Sequence, residues 1–331
     1  MEEQILDRID AIAAKLIGHF WADTTQGLEA LCDNSRHRFP FVSLNYRINI
    51  VSAVKDAPQT LAIVGFGDLG ERIAGMLPKE QWQCVGFRRR AHLVPVGVKG
   101  VAIDFAQPES LQVLKDTAAD ALLIALSPSR RDESGYRAGF AEAMQGIVRG
   151  LGTHQPRVAY FVSSTRVYAE NQGAWVDESS RLAEEDAFAR HIIDAEKTFL
   201  SSLENAVILR AGGLYGHAEG PLLKRVRDGQ LTSMAPLRYA NRIHRDDVAR
   251  FVVTNLQEKP GASVINLIDD APVPIQETEA WFCEKLSLAY APAAGESKAP
   301  PQGKRIANAR LKSTGFELAY ADYRAGYEAY L

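Results

Sequence analysis

The chain is poor in the features that mark secreted, membrane-spanning and nucleic-acid-binding proteins. Its 331 residues contain three cysteines, Cys32, Cys84 and Cys283, scattered without metal-ligand spacing. That excludes a disulfide scaffold or a zinc module and implies reduced, buried thiols in a cytoplasmic protein. No apolar run reaches the roughly 20 residues that cross a bilayer, and the start, Met1-Glu2-Glu3-Gln4, is acidic where a secretory leader is basic. Neither sign of charge dominates: 38 Lys+Arg against 41 Asp+Glu leave a net −3, the wrong balance for a general binder of nucleic acid or of membrane surfaces. Internal repeats are absent. What remains is a soluble globular composition, 46% hydrophobic and 24% charged, and a length that suits one large domain or two small ones.

Against these absences stands Gly65-Phe66-Gly67-Asp68-Leu69-Gly70. It follows the apolar run Leu61-Ala62-Ile63-Val64, and Glu71-Arg72-Ile73-Ala74-Gly75-Met76-Leu77 continues at helical spacing. The order is strand, tight glycine turn, helix. In a dinucleotide-binding turn the first glycine lets the chain reverse, the second lets a pyrophosphate approach the backbone, and the third lets helix and strand pack closely. The first helical amides then face the phosphates, where the helix dipole favours negative charge. The alternative is a plain glycine-rich turn.

Residues 1–57 precede that strand. Ile5, Leu6, Ile9, Ile12, Ala13, Leu16, Ile17 and Phe20 fall on one helical stripe, and Val42, Leu44, Tyr46, Ile48 and Ile50 alternate with polar residues as in a strand with one buried face. This extension is either an extra layer on the core or an edge that supports a homodimer. From residue 59 strands and helices alternate, which predicts a doubly wound parallel sheet, an α/β Rossmann fold. Strands are expected at 60–64, 83–87, 100–103, 120–126, 158–163, 206–210 and 263–267. Helices are expected near 69–77, 108–116, 133–151, 185–204 and 245–256. The expected organisation is an extension (1–57), a cofactor-binding domain (58–211 and 241–269) and a small substrate lobe (212–240 and 270–331).

The strand Cys84-Val85-Gly86-Phe87 ends in Arg88-Arg89-Arg90. An acidic residue near this place binds the ribose hydroxyls of NAD, whereas an arginine accommodates the 2′-phosphate of NADP. A guanidinium suits that task because its planar fork binds phosphate oxygens in pairs. Arg88, then Arg89, are the candidates, and NADP is expected over NAD; the alternative is a solvated basic run. Asp104, after Gly100-Val101-Ala102-Ile103, either accepts from the adenine amino group or caps the next turn. Leu126, ending the strand 120–126, and Ser163, ending the strand 158–163, complete the expected cofactor contacts.

Several later segments resemble the extended and atypical short-chain dehydrogenases/reductases, especially their epimerase/dehydratase-like branch. They are Tyr160-Phe161-Val162-Ser163-Ser164-Thr165-Arg166-Val167-Tyr168, Leu209-Arg210-Ala211-Gly212-Gly213-Leu214-Tyr215-Gly216 and Asn241-Arg242-Ile243-His244-Arg245-Asp246-Asp247-Val248-Ala249. The tail, from Lys304-Arg305-Ile306 to Tyr323-Arg324-Ala325-Gly326-Tyr327, looks like the end of the same branch. The resemblance covers about residues 59–331. It implies that Ser164 is the hydroxyl that orients a substrate carbonyl or alcohol. It also implies that a Tyr four residues before a Lys should follow on the next helix. Aligned on Glu196, the Tyr position holds Phe188 and the Lys position holds Ile192, and no Tyr-x-x-x-Lys occurs anywhere in the chain. The usual proton-transfer pair is therefore missing.

Candidate replacements are His191, Tyr215, His217 and the Asp177-Glu178 pair, with Tyr215 preferred; His191 has the alternative of a solvent-facing helix position. Arg166, Arg225 and Arg242 could bind an anionic part of the substrate, against the alternatives of a surface salt bridge for Arg166 and a solvated helix face for Arg225. His244 and Asp247 are expected to hold a loop and cap the following helix. The resemblance thus implies an NADP-dependent oxidoreductase or epimerase/dehydratase-like enzyme acting on a small anionic molecule. The loss of Tyr and Lys leaves open a non-catalytic NADP-binding sensor or scaffold. An unrelated GxGxxG enzyme, such as a β-hydroxyacid dehydrogenase or imine reductase, fits the later segments poorly.

Overall fold

The parallel sheet implied by strand–helix alternation is present, with seven strands. The computed structural model describes residues 57–331 apart from 218, 219, 258, 259 and 297; the helix and strand expected in residues 1–57, and Cys32, lie outside the described residues. In chain order the sheet contains β1 (Gln59–Val64), β2 (Trp82–Arg88), β3 (Lys99–Ala102), β4 (Ala121–Ala125), β5 (Val158–Ser164), β7 (Ala206–Ala211) and β10 (Val264–Leu267). Their spatial order is β10-β7-β5-β4-β1-β2-β3, and every pairing is parallel. The order reverses direction between β1 and β4, which is where such sheets open a crevice for ligands.

Alternation along each strand feeds two cores, as expected of a sheet covered on both faces. Ala62, Val64, Phe87, Ile124, Phe161 and Ile208 face one layer with Met144, Ile147, Ile192 and Phe199. Leu61, Ile63, Leu123, Tyr160, Val207 and Ile265 face the other with Ile73, Val248, Phe251 and Val252. Burying each such side chain contributes roughly 1.5–3 kcal/mol, so the strands are fixed in register from both sides.

The helices fall close to their expected places. They are α1 (Asp68–Met76), α2 (Val113–Thr117), α3 (Glu133–Tyr136), α4 (Ala143–Leu151), α5 (Ala189–Ser202), and, after β7, α6 (Pro221–Arg227) and α7 (Arg245–Thr254). The expected helix 133–151 is interrupted: Arg137–Glu142 between α3 and α4 forms a π-turn. Gly139 sits there because a Cβ would lie 2.5 Å from the Ser127 carbonyl oxygen and 2.8 Å from Pro128. The wider turn lets the helix pass over the loop that leaves β4.

Two small parallel pairs were not foreseen. β6 (Gln172–Val176) pairs with β11 (Gly303–Ile306), and β8 (Gly213–Tyr215) pairs with β9 (Arg242–His244). Each joins segments far apart in sequence, so no local periodicity announces it. A third core lies among Tyr215, Leu223, Val226, Phe282, Cys283, Tyr323 and Tyr327, built by α6, α8 (Ile275–Lys285) and, after a short α9 (Ala309–Ser313), by α10 (Tyr323–Tyr327). Cys84 and Cys283 are buried, unpaired thiols. Among the described residues no helix is long and apolar enough to cross a membrane, and no cluster of His, Cys, Asp and Glu could hold a metal ion.

Candidate active site

At the carboxyl ends of β1, β2 and β4 lies a cleft of about 530 Å3. Gly65, Gly67, Arg88, Arg89, Arg90, Asp104, Leu126 and the loop Ser127–Ser129 form much of its wall. The three glycines of the turn have different causes. Gly65 has φ +84°, and a Cβ there would sit 2.0 Å from the Ala125 carbonyl oxygen, so the fold itself demands glycine. At Gly70 a Cβ would press on Phe66 at 3.0 Å and Ile63 at 3.2 Å, the close packing of helix on strand. Gly67 is different: the nearest protein atom to its Cβ position is the Gly65 oxygen at 4.0 Å. Protein packing does not ask for glycine there, but a ligand lying on the backbone would.

Gly67 is also the N-cap of α1, and no side chain among the described residues caps that helix. The first helical amides therefore have no side-chain cap, and the helix begins at Gly67 on the cleft wall, as anion-binding helix starts do. The side chains of this segment turn elsewhere. Phe66 buries its ring against Gly86, Leu69 joins the core, and the Asp68 carboxylate pairs with Arg72 at 3.1 Å and Arg245 at 3.4 Å. Arg88 is half-buried at the end of β2, and Arg89 and Arg90 are exposed. Asp104 lines the cleft, and its Oδ1 accepts from the Ala106 amide at 3.1 Å, capping the next turn. These residues fit a dinucleotide.

β5 neighbours β4 and carries residues of a second cleft. Ser164 ends β5 and its Oγ accepts from the Arg166 amide at 3.2 Å, capping a single 3-10 turn, Thr165–Val167. Ser164, Thr165 and Arg166 line a smaller open cleft of about 300 Å3 with Tyr239, Asn241 and Lys304. The Arg166 guanidinium lies 4.8 Å from the centre of the Phe188 ring and 5.7 Å from that of Tyr136, and bonds Asp186 at 3.4 Å. A fixed cation thus stands over the residue that replaces the expected Tyr. Ile192, at the Lys position, is buried in the core.

Several expected residues are placed away from this cleft. Ser163 is buried and its hydroxyl donates to Glu196, so its side chain serves the interior. Tyr215 is buried, stacks on Tyr327 and donates to the Asp322 carbonyl at 3.0 Å. Burial raises its pKa far above the usual phenol range, which makes it a poor acid, and it does not line the Ser164 cleft. Arg225 does not line the Ser164 cleft: its side chain, partly exposed, pairs with buried Glu279 at 3.0 Å and bonds Thr232 at 3.2 Å. Arg242 is buried over the Tyr323 ring, and its Nη1 and Nη2 have no hydrogen-bond partner among the described residues.

His191 is buried rather than solvent-facing, with Nε2 3.7 Å from Glu133. Asp177 holds its own turn through Ser179 and Ser180, and Glu178 accepts from the Asn266 amide at 2.9 Å, so neither carboxylate faces the cleft unengaged. His244 Nδ1 accepts from the Asp246 amide, and Asp247 accepts from the amides of Ala319 and Tyr320; both act as supports.

The residues missed in the sequence are Tyr239, Asn241 as a cleft residue, and Lys304. Lys304 arrives on β11 and donates through Nζ to the Tyr168 carbonyl. Burial, with Arg166 acting in the same direction, lowers its pKa against the opposing pull of Glu170 and Asp186. Only the non-local β6–β11 pairing brings it here, and the sequence around it carries no signal of that pairing.

No family model matches the chain. Protein YeeZ of Escherichia coli K12 is a distant homologue, 28% identical over 280 residues that span 79% of this chain and 96% of YeeZ. A candidate NAD-dependent epimerase/dehydratase from Methylobacillus flagellatus superposes with a TM-score of 0.70 at 27% identity, covering 82% of this chain and 97% of that one. WbmG of Bordetella bronchiseptica, solved with NAD, gives 0.67 at 14% identity over 84% and 96% of the two chains. The dTDP-4-dehydrorhamnose reductase of Bacillus anthracis, solved with NADP, gives 0.64 at 12% over 83% and 98%. The last two share the fold.

Proposed function

We infer that this chain, which stands among the epimerase/dehydratase-like proteins of the short-chain dehydrogenase/reductase superfamily, is an NADP-dependent oxidoreductase or epimerase-like enzyme acting on a small anionic molecule. The observation that carries the reading is Gly67. Its missing side chain leaves open space above an uncapped helix start, inside a cleft at the switch point of the sheet. That space is what a pyrophosphate needs.

Arg88, Arg89 and Arg90 border the same cleft and favour a 2′-phosphate, hence NADP. A bound nicotinamide cofactor supplies or accepts a hydride. The chain does the rest. Ser164 presents a hydroxyl that can donate to a developing oxyanion, and Arg166 offers a guanidinium to an acidic group.

Titration of NADPH and NADH, followed by nicotinamide fluorescence, tests the reading. NADPH should bind more tightly; equal binding removes the phosphate assignment, and binding of neither removes the function.

One observation favours a second reading, a cofactor-binding sensor or scaffold. Phe188 and Ile192 stand at the usual proton-transfer positions, and neither can carry a proton. Should no carbonyl substrate be turned over while NADPH changes the binding of a protein partner, that reading holds.

A further inference from the structure

Lys304 lines the same cleft as Ser164 although it is supplied by a strand 140 residues further along the chain. Resting on the functional reading above, we propose that Lys304 is the proton donor to the substrate oxygen held by Ser164. Arg166 beside it takes an acidic group on the same molecule. The substrate class is then an aldehyde or ketone that carries a carboxylate or phosphate.

The lining narrows the choice to Lys304 and Tyr239. The titratable side chains lining the Ser164 cleft, among the described residues, are Arg166, Tyr239 and Lys304. An arginine does not release a proton in proteins. Asn241, the remaining large polar side chain there, is committed at both ends: Nδ2 donates to the Lys304 carbonyl at 2.9 Å and Oδ1 accepts from the Ile306 amide at 2.9 Å. Tyr239 has its ring packed against Gly173 and placed 5.0 Å under the Arg305 guanidinium.

Lys304 is built into its place. Gly303 before it has φ +77°, and a Cβ there would meet the Tyr239 carbonyl oxygen at 2.5 Å, so the backbone is drawn tightly to the cleft wall. The ammonium spends one donor on the Tyr168 carbonyl, at the end of the turn that begins with Ser164. Two of its three donors remain. The charged and titratable groups around it are Arg166, Asp186, Glu170 and Tyr239. Its lowered pKa makes it a better acid near neutrality than a surface lysine.

In the reducing direction a nicotinamide cofactor, held by the Gly65–Gly70 turn and Arg88, would supply a hydride to the carbonyl carbon. The C–O π pair moves onto oxygen, which Ser164 holds. A Lys304 N–H bond breaks as the new O–H bond forms, and the neutral amine left behind regains its proton from water through the open cleft. Charge and atoms balance without a Tyr.

Pyridoxal 5′-phosphate, an aldehyde with an anionic arm, is the probe. The full-length chain is incubated with it from pH 6 to 9, reduced with borohydride and mapped by mass spectrometry. Lys304 should be labelled first and at lower pH than exposed Lys115. In parallel, Lys304→Met should lower NADPH-driven reduction of 4-carboxybenzaldehyde by on the order of 100-fold, with NADPH binding by fluorescence unchanged.

Labelling of Lys304 no faster than of Lys115 overturns the proposal, whether or not the variant folds. So does a K304M rate equal to that of the unsubstituted chain, or loss of reduction in Tyr239→Phe with retention in K304M. Failure of the unsubstituted chain to bind NADPH overturns the functional reading instead, and the labelling still decides whether Lys304 is a reactive amine in a carbonyl-accepting cleft.

Discussion

Arg210 grips Glu196 through two parallel bonds, Nη2 to Oε2 at 2.7 Å and Nε to Oε1 at 3.1 Å, with side chains only 5% and 4% exposed. Ser163 donates to the same carboxylate. Arg210 also donates to Tyr168 at 3.2 Å, and Tyr168 to Asn266 at 2.6 Å. Burial works against the Arg210 charge, but Glu196 more than reverses it and raises the pKa. The network ties α5, β5, β7 and β10 together directly behind the turn that carries Ser164. Removing one member leaves a buried charge unpaired, which costs about 3–5 kcal/mol. Glu196→Gln should therefore lower the urea midpoint strongly. The double variant E196Q/R210M should recover part of the loss, because it removes both charges. Additive losses in the double variant would show that the two residues do not act as a pair.

Gly65 and Gly67 should part company under the same substitution. Gly65→Ala places a Cβ 2.0 Å from a carbonyl oxygen in a left-handed backbone, so the chain should lose stability or fail to fold. Gly67→Ala meets only one atom, at 4.0 Å, so thermal stability should stay within about 0.5–1 kcal/mol of the original. Its NADPH affinity should nevertheless fall by roughly tenfold or more, about 1.4 kcal/mol. An unchanged affinity in a folded Gly67→Ala variant would remove the pyrophosphate from this turn.

Cofactor preference should follow Arg88. A guanidinium bonded to a phosphate contributes roughly 1.5–3 kcal/mol, so Arg88→Ala should weaken NADPH binding by about 10- to 100-fold and leave NADH binding nearly unchanged. A parallel loss for both cofactors would place Arg88 elsewhere than at the 2′-phosphate. Arg89→Ala should have a smaller effect, because that side chain is exposed and its bonds are screened.

Which parts of this site are legible in the sequence depends on how local their causes are. The seven sheet strands and the turn at Gly65 can be read because apolar runs and glycine spacing act over a few residues. Glu196 sets the helix register and so exposes Phe188 and Ile192 as replacements; the structure puts a guanidinium over the first and buries the second. Lys304 is illegible for the opposite reason. Its position depends on β11 pairing with β6, across about 130 residues, and the short strand Gly303–Ile306 has no alternation to announce it. Arg225 and Tyr215 mislead for a related reason. Their residue types suit a polar cleft, but Glu279 and the Asp322 carbonyl, both distant in sequence, claim them. The π-turn at Arg137–Glu142 likewise answers to a loop 10 residues upstream, through Gly139 and Ser127.

Asp269 should make stability depend on pH in an unusual direction. It is buried, its Oδ1 accepts from the Ala271 amide at 3.1 Å, and its Oδ2 has no partner among the described residues. Burial raises its pKa from 3.8 to about 7, against the opposing pull of the Ala271 amide and of Arg242. Between those values the folded chain holds a proton that the unfolded chain has released. The folded state binds more protons, so stability falls as pH rises from about 4 to 7 and stays low above that. Three pKa units correspond to about 4 kcal/mol at most. Asp269→Asn keeps the shape and removes the titration. Urea melts of the two chains should agree near pH 4–5 and separate towards pH 8, where D269N is the more stable. Curves that run parallel from pH 5 to 8 would mean that Asp269 is already ionised in the folded chain, paired with Arg242 despite the burial of both.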